Sequence, residues 1–227
     1  PTDFPRPAVQ SFAGAEYVFE LAQPLMRNLE SLARQQRVTL FSLMLSAFAA
    51  TLAQLSGRRD VVIAVPHAGR YPDSDGLIGF FVNTVLISLL VDPARTVIEQ
   101  IDKAHQAAQE AFENGDLPFD LVVRTLGLAG ANQGAVTDVM FTFSHMDGAP
   151  VVSGALQLQA YDVTLNVAKY GLMGSFIGHP DRAQFRFEYD VQLFTPETIE
   201  HFANTFSQQL ADWISSHDQS CAGDLLN

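Results

Sequence analysis

Catalysis or metal binding would start from histidine, cysteine or paired carboxylates, and this chain spaces them sparsely. Its six histidines, His67, His105, His145, His179, His201 and His217, nowhere combine with a third ligand at a metal-binding spacing. Asp73 and Asp75-Gly76 begin like a calcium loop, but the third acidic ligand and closing Glu that would complete an oxygen cage do not follow. Ser144-His145-Met146-Asp147-Gly148 sets an imidazole beside Asp-Gly, the letters of a base with an orienting carboxylate, and a strand running into a turn produces the same string. No GxSxG, P-loop or GxGxxG occurs, so a nucleophile elbow and the common nucleotide cradles find no support. The single cysteine, Cys221, rules out an intramolecular disulfide and a cysteine metal cluster and fits a reducing cytoplasm.

The elements that would position such residues follow from periodicity. Ala15–Leu21 alternates as a strand does, and Pro24 opens a helix with Leu25, Leu29 and Leu32 on one face. Thr39 is the expected N-cap of a second helix, Leu40–Leu55, apolar on nearly every side, closed by Ser56-Gly57 and therefore buried. Residues 61–66, VVIAVP, form an interior strand, and the second half of the run 76–92 forms another central one. An amphipathic helix spans Arg95–Phe112 and ends at Asn114-Gly115; a short helix follows from Pro118, with Asp116 as its N-cap. After a Gly/Ala/Asn/Gln loop at 127–135 come strands at Asp138–Phe143, Leu156–Val167, Leu172–Ile177 and Ala183–Tyr189, then a helix Pro196–Ile214 and a polar tail, 215–227. This order predicts one α/β domain with a mixed sheet flanked by helices.

Composition narrows the class of partner. With 227 residues, 48% of them hydrophobic, the chain can bury a sizeable core. Asp+Glu outnumber Lys+Arg by 25 to 13, and the net charge of −12 repels a phosphate backbone, so no nucleic-acid partner is expected. The longest apolar run, Leu77–Val91, is broken by Asn83, Thr84 and Ser88, so no membrane span is expected either. The start at Pro-Thr-Asp, without a basic or apolar leader, reads as a piece of something longer.

Several strings, taken in order, resemble the second half of a condensation domain of nonribosomal peptide synthetases. Residues 3–15, DFPRPAVQSFAGA, are similar to the segment joining that family's two lobes, and 39–70, TLFSLMLSAFAATLAQLSGRRDVVIAVPHAGR, to its helix, strand and "pvAgR" loop ending at Arg70. GLIGFFVNTVLISL at 76–89 resembles the GxFVNT motif, with Gly79, Phe80, Phe81, Asn83 and Thr84 at its centre. DLPFD at 116–120, with Asp116, Pro118 and Phe119, resembles "QDxPFE", VMFTF at 139–143 resembles "qVMFnfQ", and YDVTL at 161–165, with Asp162, resembles "FDLTL". FEYDVQLFTPETIEHFANTFSQQL at 187–210 is similar to the family's closing helix segment. Departures are local: Asn114-Gly115 stands where "HQ" precedes DxPFE, Tyr189-Asp190-Val191-Gln192 replaces "YNTD", and "RNPL" has no clear counterpart near 134–138.

The resemblance implies a chloramphenicol-acetyltransferase-like lobe, with residues 1–14 as connecting segment, in an enzyme that joins carrier-bound acyl and aminoacyl thioesters by an amide bond. It implies an N-terminal lobe and upstream and downstream peptidyl carrier proteins as partners. No cofactor binds directly; the phosphopantetheine arms of those carriers bring the substrates. The family's catalytic HHxxxDG lies in the first lobe, and this sequence contains no His-His pair, so the chain is expected to supply tunnel wall and docking surface but no catalytic residue and to be inactive alone. His145-Met146-Asp147-Gly148 has too few residues between His and Asp-Gly to replace it. Gly79, Phe80, Phe81, Asn83 and Thr84 are the candidates for lining the channel or lobe interface; read on their own they make a tight turn feeding a strand, Asn83 and Thr84 satisfying backbone groups. Arg70, Asp116, Pro118, Phe119 and Asp162 are expected to be structural. A coenzyme-A-dependent acyltransferase lobe and a silent docking module are the alternatives.

Overall fold

The computed structural model describes residues 1–70, 74, 76–127, 138–146, 151–154, 156–158 and 163–224. In chain order the elements are β1 (Gly14–Leu21), α1 (Gln23–Gln35), α2 (Leu40–Ser56), β2 (Asp60–His67), β3 (Asn83–Leu90), α3 (Val97–Glu113), α4 (Phe119–Thr125), β4 (Val139–His145), β5 (Val151–Ser153), β6 (Leu156–Leu158), β7 (Leu172–Gly178), β8 (Ala183–Asp190) and α5 (Pro196–Asp224). Six strands form one sheet in the order β1-β8-β7-β4-β2-β3, and β5 and β6 form a separate hairpin. β4 runs parallel to both neighbours, β2 and β7, while the remaining pairs are antiparallel. The expected mixed α/β sheet is therefore present.

Helix α2 is the centre of the core because its sequence has no polar face. Thr39 Oγ1 accepts the Ser42 N–H at 3.1 Å, and Gly57, at φ 70°, closes the helix in the left-handed region where a side chain would be strained. Between them Leu43, Met44, Leu45, Ala47 and Phe48 are fully buried. Of the three polar side chains carried inward, Ser42, Ser46 and Thr51, Thr51 donates to Ala47 O at 2.9 Å and Ser42 Oγ lies 3.0 Å from His105 Nδ1. Phe48 reaches the sheet because β7 offers no side chain at Gly174, where a Cβ would stand 2.9 Å from its ring. There it joins Phe141, Phe185, Phe187 and Phe206, the closest pair of rings, Phe185 and Phe206, being 4.4 Å apart.

Four expectations need correction. The strand in 76–92 is not central: β3 is an edge strand, buried on one face through Val85, Ile87 and Leu89, with Ser88 and Leu90 exposed. Its run of apolar letters suits a one-sided edge as well as an interior strand. Leu156–Val167 is not one strand, since β6 ends at Leu158 and, among the described residues that follow, only Val167 pairs, in an isolated bridge with Ala13. The tail from 215 is helical as far as Asp224, because nothing in its polar sequence stops α5. Finally, Asp116 does not cap α4: Pro118 occupies that position, and the cap's hydrogen bond comes from β3, as described below. The expected 127–135 loop lies outside the described residues beyond Gly127. Among the described residues no single helix is long and apolar enough to cross a membrane.

Candidate functional site

Sheet order brings one group of candidate residues together. β2, β4 and β7 all end at the same edge of the sheet, where His67, His145 and Gly178 stand, and β3 starts there with Asn83 paired to His67. The GLIGFFV segment therefore emerges at the corner made by β2 and β3, beside the loop joining α3 to α4.

Asn83 fastens that corner. Its Nδ2 donates to Gly115 O and to Leu117 O, both at 2.8 Å, while its Oδ1 accepts the Phe119 N–H at 3.1 Å. One amide thus satisfies two loop carbonyls and the first N–H of α4, the work that a capping side chain at Pro118 cannot do. DLPFD and GFFVNT, two strings more than thirty residues apart, form a single structural unit. Gly115 is required beneath it, because a Cβ there would lie 2.4 Å from His67 Nδ1, and the His67 ring stacks on Phe112 at 5.5 Å.

The loop before Asn83 is pinned from the other side by Arg70. Its guanidinium donates to Ser74 O at 3.2 Å and Leu77 O at 3.3 Å and sits 4.5 Å above the Phe81 ring. Gly69 packs against Phe81 O, where a Cβ would come within 2.1 Å, and its φ of 58° excludes other residues on backbone grounds as well. Held in this way, the loop turns apolar side chains to solvent: Ile78 is fully exposed and Phe80 is 92% exposed, with Leu77 and Val82 about half exposed. Gly79 is exposed and faces only the Phe81 ring, and Thr84 is half-buried on β3 opposite Pro66. Leu117 and Leu121 of the adjoining loop and helix add to an apolar surface. Asp162 lies outside the described residues.

At the opposite edge of the sheet, the starts of β2, β4 and β7 border a cavity of about 610 Å³ whose walls include Leu52, Val61, Leu172 and Phe202. Residues Pro1, Thr2 and Asp3 close part of it. Asp3 accepts from Thr195 N at 2.8 Å and Thr198 Oγ1 at 2.9 Å at the start of α5, and Arg6 pairs with Asp138 at the start of β4. Burial pushes the Asp138 carboxyl above the usual carboxylate range, and the Arg6 guanidinium pulls against that shift. Asn83 satisfies backbone groups as its sequence reading expects, but sequence reasoning missed both its bridge to the α3–α4 loop and the Arg6–Asp138 pair. The only sequence signal for the first was a polar Asn interrupting an apolar run; the second, between residues 132 apart, left none.

Among known proteins, the family model described as condensation domain matches residues 1–226. Bacitracin synthase 2 of Bacillus licheniformis is 32% identical over 214 residues, 93% of this chain but 8% of that protein. Surfactin synthase subunit 1 of Bacillus subtilis is 30% identical over 214 residues, 93% of this chain and 6% of that protein. The chain therefore spans less than a tenth of the length of either relative. Among solved structures, the four-domain nonribosomal peptide synthetase AB3403 superposes with a TM-score of 0.86 at 23% identity, over 95% of this chain and 18% of that one. The X-domain from teicoplanin biosynthesis gives 0.84 at 19% identity, over 95% of this chain and 50% of its own.

Proposed function

The chain belongs to the condensation-domain family of nonribosomal peptide synthetases, and from that premise we propose that it acts as the second lobe of such a domain, in the cytoplasm. In this reading an amine on one carrier attacks the thioester carbonyl on another: a C–N bond forms, the C–S bond breaks, and the displaced sulfur and the amine proton leave as a thiol. The chain's part is to orient the carrier-borne phosphopantetheine arms, keep water from the thioester and present a docking surface, while a histidine of the first lobe handles the proton.

The observation that carries the proposal is the rigidly fastened, apolar, solvent-facing loop at 77–82. An apolar surface held in place by Asn83 and Arg70 is suited to a partner or channel, whereas a loop with no such role would normally turn polar side chains to water. Gly79, Phe80, Phe81, Asn83 and Thr84 are assigned to the lobe interface or channel rim, Phe80 by direct contact and Asn83 as the residue that positions the loop.

The test combines the chain with a separately produced first lobe carrying HHxxxDG and two acyl-loaded carriers. Amide product is expected only when both lobes are present, and Phe80→Ala is expected to lower association of the lobes while leaving the chain's melting temperature unchanged. Amide formation at enzyme-like rates by this chain alone would overturn the proposal. So would equal turnover with coenzyme A thioesters and no carrier.

A further inference from the structure

We propose that the pocket between the start of α1 and the β7–β8 turn is a binding site for a phosphate-class anion. The pocket encloses about 260 Å³ and is lined by Gln23, Arg27, His145, His179 and Arg182, among others. It stands at the same sheet edge as the 77–82 loop, across β4 and β7 from it, roughly 10–20 Å away at about 4.8 Å per strand.

Three observations converge there. Neither Arg27 nor Arg182 has an ion-pair partner among the described residues. In a chain whose acidic residues outnumber its basic ones by 25 to 13, two guanidiniums left without carboxylate partners at one small pocket are available to a ligand. Two acidic residues share the rim: Glu30 is engaged with Arg34 at 3.8 Å, and Asp181, in the turn, accepts from Gln23 through its backbone carbonyl and keeps its own carboxylate beside the arginines. Next, His179 lines the pocket, and its ring Nε2 finds no hydrogen-bond partner among the described residues. Last, α1 begins here with no side-chain cap at Ala22 and no acidic residue in its first turn, so the positive end of its dipole is uncompensated.

The chemistry selects the ligand class. Two guanidiniums at a small cavity offer forked donors to a tetrahedral oxyanion, which phosphate matches better than a single carboxylate does. The site stands independently of the proposed function. If that function holds, the phosphodiester of a carrier's phosphopantetheine arm is one source of the anion; free phosphate is the other.

Calorimetry and histidine NMR shifts on the full chain, with inorganic phosphate, phosphopantetheine and phosphate-free pantetheine as probes, test the site. Inorganic phosphate and phosphopantetheine are expected to bind and to shift the His179 ring signals, and pantetheine is not. Arg27→Gln combined with Arg182→Gln is expected to weaken binding by about tenfold or more. Both arginines are exposed, so the phosphate-free melting temperature should hold. Tighter binding of phosphopantetheine than of phosphate assigns the carrier arm, and equal affinity assigns free phosphate; either upholds the site. Absence of binding by both phosphate probes, or binding indifferent to the double substitution, overturns it.

Discussion

Asn83→Ala and Asn83→Asp together isolate the work of one amide. Alanine removes three hydrogen bonds, two donated to Gly115 O and Leu117 O and one accepted from Phe119 N. At about 1 kcal/mol net each, and with some rehydration of the freed groups near the surface, the loss should be about 2–3 kcal/mol. Aspartate keeps the acceptor for Phe119 but aims its second oxygen at two carbonyl oxygens that Asn83 Nδ2 approaches to 2.8 Å. At neutral pH it should therefore be worse than alanine, and the deficit should shrink in acid as the carboxyl regains a proton to donate. Urea unfolding gives the global figure, and hydrogen exchange at the Phe119 amide gives the local one, with an acceleration of roughly 30- to 150-fold in Asn83→Ala. A loss below about 0.5 kcal/mol, or Asn83→Asp matching Asn83→Ala at neutral pH, would refute the idea that this amide joins the two motifs.

The other predictions concern backbone and titration. Gly69→Ala meets both a positive φ and a backbone oxygen and should cost more than about 1 kcal/mol, read as a lower urea midpoint with faster proteolysis of the 77–82 loop. Glu99 completes the capping box of α3, and its hydrogen bond from the Thr96 backbone holds its carboxyl below the usual range. Its contribution is present above the ordinary carboxylate pKa and lost as pH falls through the lowered one, so the melting-temperature gap between wild type and Glu99→Gln should close on acidification. Glu188 is the opposite case: burial raises its carboxyl, against a hydrogen bond from the Lys169 backbone. The stability tied to its protonated form is present in acid and lost as pH rises through the raised value, so Glu188→Gln should melt higher than wild type at pH 8 and converge with it near pH 4.

How far the sequence revealed these features depends on the range over which each is determined. Thr39, Gly57 and the unbroken apolar stretch between them specify α2 locally, and its cap, end and burial follow from neighbouring residues alone. β8 alternates cleanly, Ala183, Phe185, Phe187 and Tyr189 facing inward, for the same reason. The position of β3 is different, since whether a strand lies at an edge depends on which other strands pair, and its letters satisfy both answers. Asn83 shows the same limit at the level of one side chain. Its type announced a need for hydrogen-bond partners, but the partners lie 32–36 residues away and are adjacent only because α3 and α4 pack against β3. The local string D-x-P makes Asp116 the expected cap, and a long-range acceptor, Asn83, takes that place in the fold.

The exposed loop also bears on how the two-lobe proposal should behave in solution. Burying Ile78 and Phe80 would contribute about 1.5–3 kcal/mol each, and the half-exposed Leu77 and Val82 add less. Such a sum is comparable to the lower end of the roughly 4–15 kcal/mol that two free bodies lose on association. Separate lobes should therefore meet weakly through this surface, whereas lobes on one chain would already have surrendered most of that freedom. Restored amide formation in trans should climb with lobe concentration without saturating in the low micromolar range, and a covalent fusion should remove that dependence. A saturating, tight complex of free lobes that survives Phe80→Ala would show that the interface energy resides elsewhere on the chain.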